Sequence, residues 1–532
     1  MLWGILERAR ALFGEEEAVA FRGVRRSYSE LYERAGNLAG WLVEAGVRPG
    51  DRVAVLAKNE PAYLELYFAA ARCGAVLCPL NVRLAPIELA GILVQSRPRL
   101  LFYGEALGQL AARSLVCLEE AGERLPRLVT LPGIELEEQT GAEVESLTQG
   151  RGNSEYERWV EQAAPVTDPF GLIAGDAVAQ LYFTSGTTGQ PKGVMLTHRN
   201  VWTHAMAAVA ELGFDDSDRW GHVAPLFHLA DAWACFAITW VGGTHLFQPD
   251  FEAKTVLQAF EEERVTATNL VPVMLQHLLD EARRCEVQTT SLRLMLSGGA
   301  PIAPAAVRRI VDTFACEYIQ TYGMTETSPF LTLSRLNAVQ KGCSRDEQDR
   351  WRAKTGRAFL GVELEVVDQS GVVVARDDKS VGEIRVRGET VSPGYWNNEG
   401  ETMRAFRDGW LYTGDLAVMD EHAFVTIVDR KKDMILTGGE NVYSTEVENA
   451  LYEHPAILEA AVFGRKDDSW GERVCAAIVV IEGEALQADA LREHCRERLA
   501  AYKCPREILF LDELPKTGSG KITKAALREM TD

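Results

Sequence analysis

Residues 182–193 carry the groups most suited to chemistry: they read Tyr-Phe-Thr-Ser-Gly-Thr-Thr-Gly-Gln-Pro-Lys-Gly and follow a mostly apolar run. Glycines let the backbone approach anionic oxygens closely, and backbone N–H groups and hydroxyls donate hydrogen bonds to them. Lys192 adds a mobile positive charge. A Walker A loop has glycine before its lysine and Ser or Thr after it, whereas Pro191 and Gly193 flank Lys192. Alone, the segment predicts either a polyphosphate-binding loop of another kind or a surface turn.

Composition limits the classes of partner. The chain has 532 residues and a formal net charge of −21, which argues against nucleic-acid binding and against polybasic attachment to membranes. Its ten cysteines form no Cys-x-x-Cys pair, so we expect a reducing, cytoplasmic compartment. No run reaches the ~20 apolar residues of a transmembrane segment. The amphipathic N-terminus predicts a surface helix, or alternatively a helix that lies on a membrane, rather than a signal peptide.

Two stretches that could position the loop share one layout. From Asp51 and again from Asp218, short apolar runs alternate with helical patterns, which indicates βαβ units and largely parallel sheets. Beyond about residue 355, short runs of two-residue alternation predict a small β-rich unit, and the last hundred or so residues predict an α+β domain. The expected fold is α/β, with a large N-terminal domain of two similar α/β subdomains plus a β-rich subdomain, followed by an α+β C-terminal domain.

Eight separated motifs occur along the chain between residues 182 and 521. They are YFTSGTTGQPKG (182–193), PLFH (225–228), SGGAP (297–301), QTYGMTE (320–326), GWLYTGD (409–415), DRKKD (429–433), GGENVYSTEVE (438–448) and PKTGSGK (515–521). In this order they resemble the adenylate-forming superfamily, which includes acyl-CoA synthetases, aryl-CoA ligases, nonribosomal-peptide adenylation domains and beetle luciferases.

The resemblance implies an ATP site. The β- and γ-phosphates would be bound by Thr184, Ser185, Gly186, Thr187, Thr188, Gly189 and Lys192. The adenine slot would be formed by Gly299, Ala300, Pro301, Gln320, Thr321 and Tyr322, and Gly323 would also belong to the ATP site. Thr325 would bond the α-phosphate, and Asp415 and Arg430 the ribose. Glu326, with Thr184, would hold Mg²⁺, for which hard oxygen donors are suited.

The resemblance also implies two half-reactions. Carboxylate and ATP first give an acyl-adenylate and pyrophosphate, and the thiol of coenzyme A then displaces AMP. The catalytic residues of the first step would be Lys521, Lys192, Thr325 and Glu326. Lys521 would bridge the carboxylate and the α-phosphate and neutralise charge there.

A charged linker separates the chemistry-bearing motifs. The implied domains are 1–429, which binds ATP and the acid, and 434–532, a mobile lid that carries Lys521, with the hinge at 430–433. Rotation at Lys432 would withdraw Lys521 and bring in the loop that lines the coenzyme A tunnel. That loop consists of Gly438, Gly439, Glu440 and Asn441.

The acid-binding residues implied by the resemblance are mostly small or apolar. They are His228, Trp233, Val271, Gly298, Gly299, Tyr322, Gly323 and Met324. The set favours a medium- or long-chain fatty acid, with an aryl acid such as cinnamate or benzoate as the alternative. A stand-alone enzyme that loads a carrier protein, a luciferase and a non-catalytic nucleotide sensor remain as other classes. A homodimer would be ordinary for the family.

Overall fold

The computed structural model describes residues 1–131, 154–165, 170–184, 191–285, 290–467, 469–481, 483–516 and 522–530. The chain divides into two compact units. The first comprises Met1–Leu364 and Val386–Leu411, and the second comprises Glu365–Arg385 and Tyr412–Asp532. The expected hinge at 430–433 concerns motion and stays a prediction.

The first unit contains two large sheets among its described residues. One has six strands, in spatial order Arg127–Thr130, Leu100–Tyr103, Arg52–Leu56, Val76–Pro79, Val178–Thr184 and Lys192–Thr197. The other has nine, in spatial order Arg357–Ala358, Phe330–Leu333, Glu317–Gly323, Leu294–Gly298, Ala267–Leu270, Arg219–His222, Thr244–Phe247, Glu17–Phe21 and Val24–Ser27.

The two sheets are built on one plan. Arg52–Leu56 lies between the next two strands of the chain, parallel to both, and Arg219–His222 lies in the same way between its own two successors. A two-stranded antiparallel hairpin extends each sheet beside the first of these two successors, Val76–Pro79 in one sheet and Thr244–Phe247 in the other. The central strands are buried on both faces, as expected where helices cover a parallel sheet. The prediction of two similar α/β subdomains is therefore confirmed.

The helices of the first unit cover these sheets. Their bounds are Trp3–Phe13, Tyr28–Glu44, Pro61–Cys73, Pro86–Ser96, Gly108–Glu120, Ser154–Gln162, His198–Leu212, Leu229–Ala232, Ala234–Val241, Ala253–Glu262, Pro272–Ala282, Pro304–Phe314, Ala338–Lys341, Arg345–Ala353 and Glu399–Ala405. The N-terminal helix buries Trp3, Ile5, Leu6 and Ala9, so its apolar face packs within the fold. Among the described residues, no helix is both long enough and apolar enough to cross a bilayer.

Shorter sheets follow in the chain. One contains Val362–Val367, Gly382–Gly388, Phe406–Arg407, Trp410–Met419 and Val425–Arg430. The C-terminal sheet contains Ile435–Thr437, Glu440–Val442, Ile457–Asp467, Gly471–Val480 and Glu507–Phe510, with helices Ser444–Tyr452, Ala488–Arg496 and Lys524–Glu529. The predicted β-rich and α+β regions are thus both present.

Glu60, which precedes helix Pro61–Cys73, makes stability depend on pH. Its side chain is buried. Desolvation, and to a lesser extent the negative charge of Glu65, raise the pKa of the Glu60 carboxyl from 4.5 to about 8. Between pH 4.5 and about pH 8, Glu60 keeps a proton in the folded chain that it loses in the unfolded chain. The free energy of unfolding therefore falls as the pH rises through this range.

We therefore expect Glu60→Gln to stabilise the protein by an amount that is near zero at pH 4.5 and grows to the order of a few kcal/mol at pH 8. Urea unfolding at several pH values measures this, with exposed Glu15→Gln as the control. A stability change equal at pH 5 and pH 8 would contradict the assignment.

Candidate active site

The carboxyl ends of three parallel strands in the nine-stranded sheet meet at one edge. Val271 follows strand Ala267–Leu270, and Gly299 follows strand Leu294–Gly298. Strand Glu317–Gly323 leads directly into the turn that holds Thr325 and Glu326. The pairing is parallel, with Gly298 opposite Thr321. Ligands of open α/β sheets bind outside this edge, so the fold brings these predicted residues to one place.

The predicted adenine slot has a rigid, accessible backbone floor. Gly299 has φ +87°, a conformation that favours glycine, and the stretch 299–301 is exposed. A Cβ on Gly298 would lie 2.9 Å from the carbonyl oxygen of Thr321, too close for a side chain. The Gln320 amide donates to the carbonyl of Ala300 at 2.8 Å, and the Thr321 hydroxyl donates to that of Ser297 at 3.1 Å. These two hydrogen bonds hold the backbone of the predicted slot in place.

Gly323 lies where the chain leaves this slot, and it has no room for a side chain. A Cβ there would overlap the carbonyl oxygen of Pro329 and lie 2.7 Å from its carbonyl carbon and 3.0 Å from Phe330 Cα. Because these are backbone atoms, they cannot move aside cheaply. We expect Gly323→Ala to destabilise the fold by about 3 kcal/mol or more in chemical unfolding.

Gly91→Ala is the matched control for this substitution. Gly91 lies inside helix Pro86–Ser96, and a Cβ there meets nothing within 4 Å. Alanine at that position should be neutral or stabilise by up to ~1 kcal/mol. Equal stability changes for the two substitutions would contradict the packing account.

Glu326 is held by a clamped turn. The backbone N–H of Ser392 donates to the Glu326 carbonyl at 2.8 Å, and the Ser328 hydroxyl donates to the carbonyl of Thr390 at 2.7 Å. The hydroxyl of Tyr395 donates to Glu326 Oε1 at 2.7 Å. Burial, and then the charge of Glu326, raise the pKa of Tyr395, so this hydroxyl stays a donor. The carboxylate is thus buried and oriented by a neighbour that the sequence analysis did not identify.

Lys192 lies over the ring of Tyr395. It pairs with Thr184 across the antiparallel hairpin, so the two predicted phosphate residues lie opposite each other. Its ammonium forms an ion pair with Glu401 and lies 5.4 Å from the centroid of the Tyr395 ring. The Lys192 ammonium also donates a hydrogen bond to the Glu401 carboxylate, and this hydrogen bond and the ion pair lower the pKa of the Glu401 carboxyl. Tyr395 therefore connects the predicted phosphate lysine with the predicted metal ligand.

The donor set fits Mg²⁺ bound mainly through a nucleotide. Glu326 supplies a carboxylate and Thr184 a hydroxyl, both hard oxygen donors. No group of three or more His, Cys, Asp or Glu side chains that could hold a metal occurs in the described part of the chain. Mg²⁺ is commonly bound by one or two carboxylates together with substrate phosphates, so one buried carboxylate is sufficient.

The two predicted ribose residues lie in the second unit and face each other. Asp415 and Arg430 are cross-strand partners, and Arg430 Nε lies 3.4 Å from Asp415 Oδ1. The Asp415 side chain is mostly buried while that of Arg430 is half exposed. A carboxylate held opposite a guanidinium is able to accept hydrogen bonds from a diol.

The predicted hinge and coenzyme A residues are exposed. Lys432 is solvent-exposed. Three residues before it, the Asp429 carboxylate accepts a hydrogen bond from the Ser444 hydroxyl at 2.9 Å. Directly after it, Asp433 forms an ion pair with Arg528 at 3.1 Å. The predicted tunnel loop is the tip of a hairpin, in which both turn glycines have positive φ. Its members Gly438, Gly439, Glu440 and Asn441 are all exposed.

The predicted acid-binding residues differ in accessibility. Val271 is 39% exposed, and its Cγ1 lies 3.9 Å from where a Gly299 Cβ would be. His228 is partly buried and precedes helix Leu229–Ala232. Trp233 is only 1% exposed. Its ring packs against those of Trp220, Phe330, His204 and Phe214 at centroid distances of 5.1, 4.9, 5.6 and 6.3 Å. This packing favours a core role for Trp233, and its contribution to an acid pocket stays a prediction.

Several predicted residues lie outside the described part of the chain. They are Ser185, Gly186, Thr187, Thr188, Gly189 and Lys521. Their roles stay predictions that rest on the sequence.

Comparison with known proteins shows the family of the chain. A family model described as AMP-binding enzyme matches residues 6–396, and one described as AMP-binding enzyme C-terminal domain matches residues 446–521. A feruloyl-CoA synthase from Amycolatopsis is 38% identical over 96% of this chain and 95% of its own length. A long-chain-fatty-acid–CoA ligase from Thermus thermophilus is 36% identical over 99% of this chain and 95% of its own length.

A solved structure shows the same architecture. ATP-bound MatB from Rhodopseudomonas palustris aligns with a TM-score of 0.85 and 29% identity, covering 100% of this chain and 99% of that one. The two family models together account for most of the sequence, and the relatives match it almost end to end. The chain therefore belongs to the AMP-binding enzyme family, as an adenylate-forming carboxylate–CoA ligase.

Proposed function

We propose that this protein activates an acid with an apolar body, first to an acyl-adenylate at the expense of ATP and then to its coenzyme A thioester. The observation that carries the proposal is the edge of the nine-stranded sheet. There a glycine floor, an accessible Val271 and the buried carboxylate of Glu326 occur together.

In the first half-reaction the substrate carboxylate attacks the α-phosphorus of ATP and pyrophosphate leaves. Lys192 neutralises the departing phosphates, Thr325 bonds the α-phosphate, and Lys521 bridges that phosphate and the carboxylate. Glu326 and Thr184 hold Mg²⁺, which supplies charge neutralisation at the phosphates when bound. No covalent enzyme intermediate is needed, because the adenylate is itself the activated acid. Positioning and electrostatics provide the rate.

In the second half-reaction the thiol of coenzyme A attacks the adenylate carbonyl and AMP leaves. The exposed hairpin tip 438–441 lines the path of the pantetheine arm after a rotation at Lys432. Asp415 and Arg430 keep hold of the ribose through both steps.

For the acid itself, a medium- or long-chain fatty acid is the first candidate. The small and apolar side chains of the proposed pocket and the likeness to a fatty-acid–CoA ligase support it. An aryl acid of the hydroxycinnamate type is the second candidate, supported by the likeness to a feruloyl-CoA synthase.

A pyrophosphate-release assay tests these proposals. The purified enzyme is given Mg·ATP and one acid at a time (octanoate, decanoate, palmitate, cinnamate, ferulate, benzoate), with and without coenzyme A. We expect acid-dependent release and thioester formation with one class. Release without thioester would indicate a carrier protein as acceptor, and no release with any acid of the panel would refute the proposal.

The hinge yields a separate prediction. Lys432→Pro fixes φ at that position and so hinders the rotation. We expect adenylate formation to stay within about twofold while thioester formation falls by on the order of tenfold or more. Stopped-flow measurement of each half-reaction checks this, and Lys432→Ala, which keeps the backbone free, is the control. Equal losses in both half-reactions would place the hinge elsewhere.

A further inference from the structure

The segment 223–228 carries His228 to the proposed acid site and is held by Asn59. Asn59 follows strand Arg52–Leu56 of the other sheet and is 4% exposed. Its Nδ2 donates to the carbonyls of His222 and Ala224, both at 2.9 Å, and its Oδ1 accepts the N–H of Leu226 at 2.8 Å. The base of the segment is therefore fixed to the subdomain that carries the phosphate hairpin.

A second connection runs through two buried tyrosines. The Tyr67 hydroxyl lies 3.1 Å from the carbonyl oxygen of Leu226 and 2.7 Å from the hydroxyl of Tyr182. A carbonyl oxygen can only accept, so Tyr67 donates to Leu226 and Tyr182 donates to Tyr67. Tyr67, Tyr182 and Leu226 are 2%, 3% and 0% exposed, so water does not replace either bond.

The two ends of this chain of hydrogen bonds belong to elements that lead to the proposed nucleotide site and to the proposed acid site. Tyr182 lies in strand Val178–Thr184, two residues before Thr184, and side chains two apart in a strand share a face. Leu226 lies two residues before His228. Three polar groups thus connect the strand that enters the phosphate loop with the segment that enters the acid site.

We infer that the Tyr182–Tyr67–Leu226 hydrogen bonds couple acid binding to nucleotide binding, which makes Tyr67 and Tyr182 positioning residues for adenylation. The inference rests on the proposed function. If a bound ligand shifts either end alone, a buried hydrogen bond is lost and its partners stay unsatisfied. The strand and the segment are therefore held in one mutual arrangement, and a ligand that selects this arrangement favours the other ligand by the same factor.

The test measures this coupling directly. Calorimetry gives the affinity for α,β-methylene-ATP, whose α–β bond is not cleaved, with and without saturating ferulate or decanoate, whichever the enzyme activates. In the wild type we expect the acid to raise the affinity at least about fivefold. In Tyr182→Phe, which cuts the chain but keeps Tyr67 bonded to Leu226, we expect this factor to fall close to one.

Tyr63→Phe is the matched control. Tyr63 lies one turn before Tyr67 on helix Pro61–Cys73, is 0% exposed, and its hydroxyl has no hydrogen-bond partner among the described residues. We expect it to keep the wild-type coupling factor. If Tyr182→Phe does not fold, Tyr67→Phe cuts the same chain at its centre and must lose the coupling.

Three results would overturn the inference. They are a wild-type factor of one, a Tyr182→Phe factor equal to that of the wild type, or the same loss in Tyr63→Phe, which would indicate general loosening. In each of these the enzyme still releases pyrophosphate with its acid, so the proposed function stands. Absence of pyrophosphate release with the whole acid panel overturns both.

Discussion

Lys521→Ala should lower the rate of adenylate formation by on the order of 10²–10³ while sparing the second half-reaction. The expected loss is large because the ammonium acts on charge that develops as pyrophosphate leaves. An interaction made mainly in the transition state affects the rate constant of the chemical step rather than ground-state affinity. Single-turnover pyrophosphate release measures the first half-reaction, and thioester formation from supplied acyl-adenylate and coenzyme A measures the second.

Lys516→Ala is the matched control for this substitution. Lys516 lies five residues before Lys521, and its ammonium pairs with Glu459 at 2.6 Å on the surface of the C-terminal sheet. Removing it should leave both half-reactions within about twofold, since exposed ion pairs contribute little. Unchanged adenylation in Lys521→Ala, or an equal loss in Lys516→Ala, would refute the role given to Lys521.

Glu326→Gln should lower adenylation by on the order of 10² and raise the Mg²⁺ concentration needed for half-maximal rate. The substitution keeps the size of the side chain and an acceptor for the Tyr395 hydroxyl, but it removes the negative charge that Mg²⁺ requires. The experiment is a Mg²⁺ titration of the initial rate at saturating ATP, together with unfolding to show that the buried amide is tolerated.

Tyr395→Phe tests the orientation of the Glu326 carboxylate separately from its negative charge. The carboxylate stays, but the hydroxyl that donates to its Oε1 is removed. Loss of a group that orients a metal ligand typically weakens metal affinity 10–100-fold, so we expect an intermediate Mg²⁺ dependence. If Glu326→Gln left the Mg²⁺ dependence unchanged, Glu326 would not be the metal ligand, and the clamped turn would serve structure alone.

The domain plan was readable from the sequence because its signals are local. Alternation of apolar runs with helical patterns marked both βαβ stretches, from Asp51 and from Asp218, and each became a three-stranded parallel core with the same strand order. The residue pattern of the C-terminal domain predicts a helix over about 487–502, whereas the helix found there, Ala488–Arg496, ends at Arg496. Past this point the N–H of Arg498 donates to the carbonyl of Cys495, and the Arg498 guanidinium donates to the carbonyl of His494 at 3.0 Å, so a side chain replaces the regular helical hydrogen bond to His494.

The site was readable only in part. The sequence places glycine where the backbone needs it: Gly299 has a positive φ, and Gly323 lies too close to the Pro329 backbone for a side chain. The strands that carry these motifs end at one edge of the sheet. The sequence did not predict roles for Tyr395 and Glu401, because no nearby residue pattern shows that Tyr395 contacts Glu326 or that Glu401 pairs with Lys192. Trp233 belongs to the opposite case, since its motif suggested a pocket and its burial among four rings favours the core.

The sequence by itself determined the chemistry of this protein, because the types and order of its motif residues state which groups can bind phosphates, a base and a carboxylate. Tertiary structure alone decided how those groups are oriented. Lys192 meets Glu401 across 209 positions, and Tyr182 meets Tyr67 across 115. Contacts over such separations depend on how the two sheets and their loops pack together, which no local pattern of residues encodes.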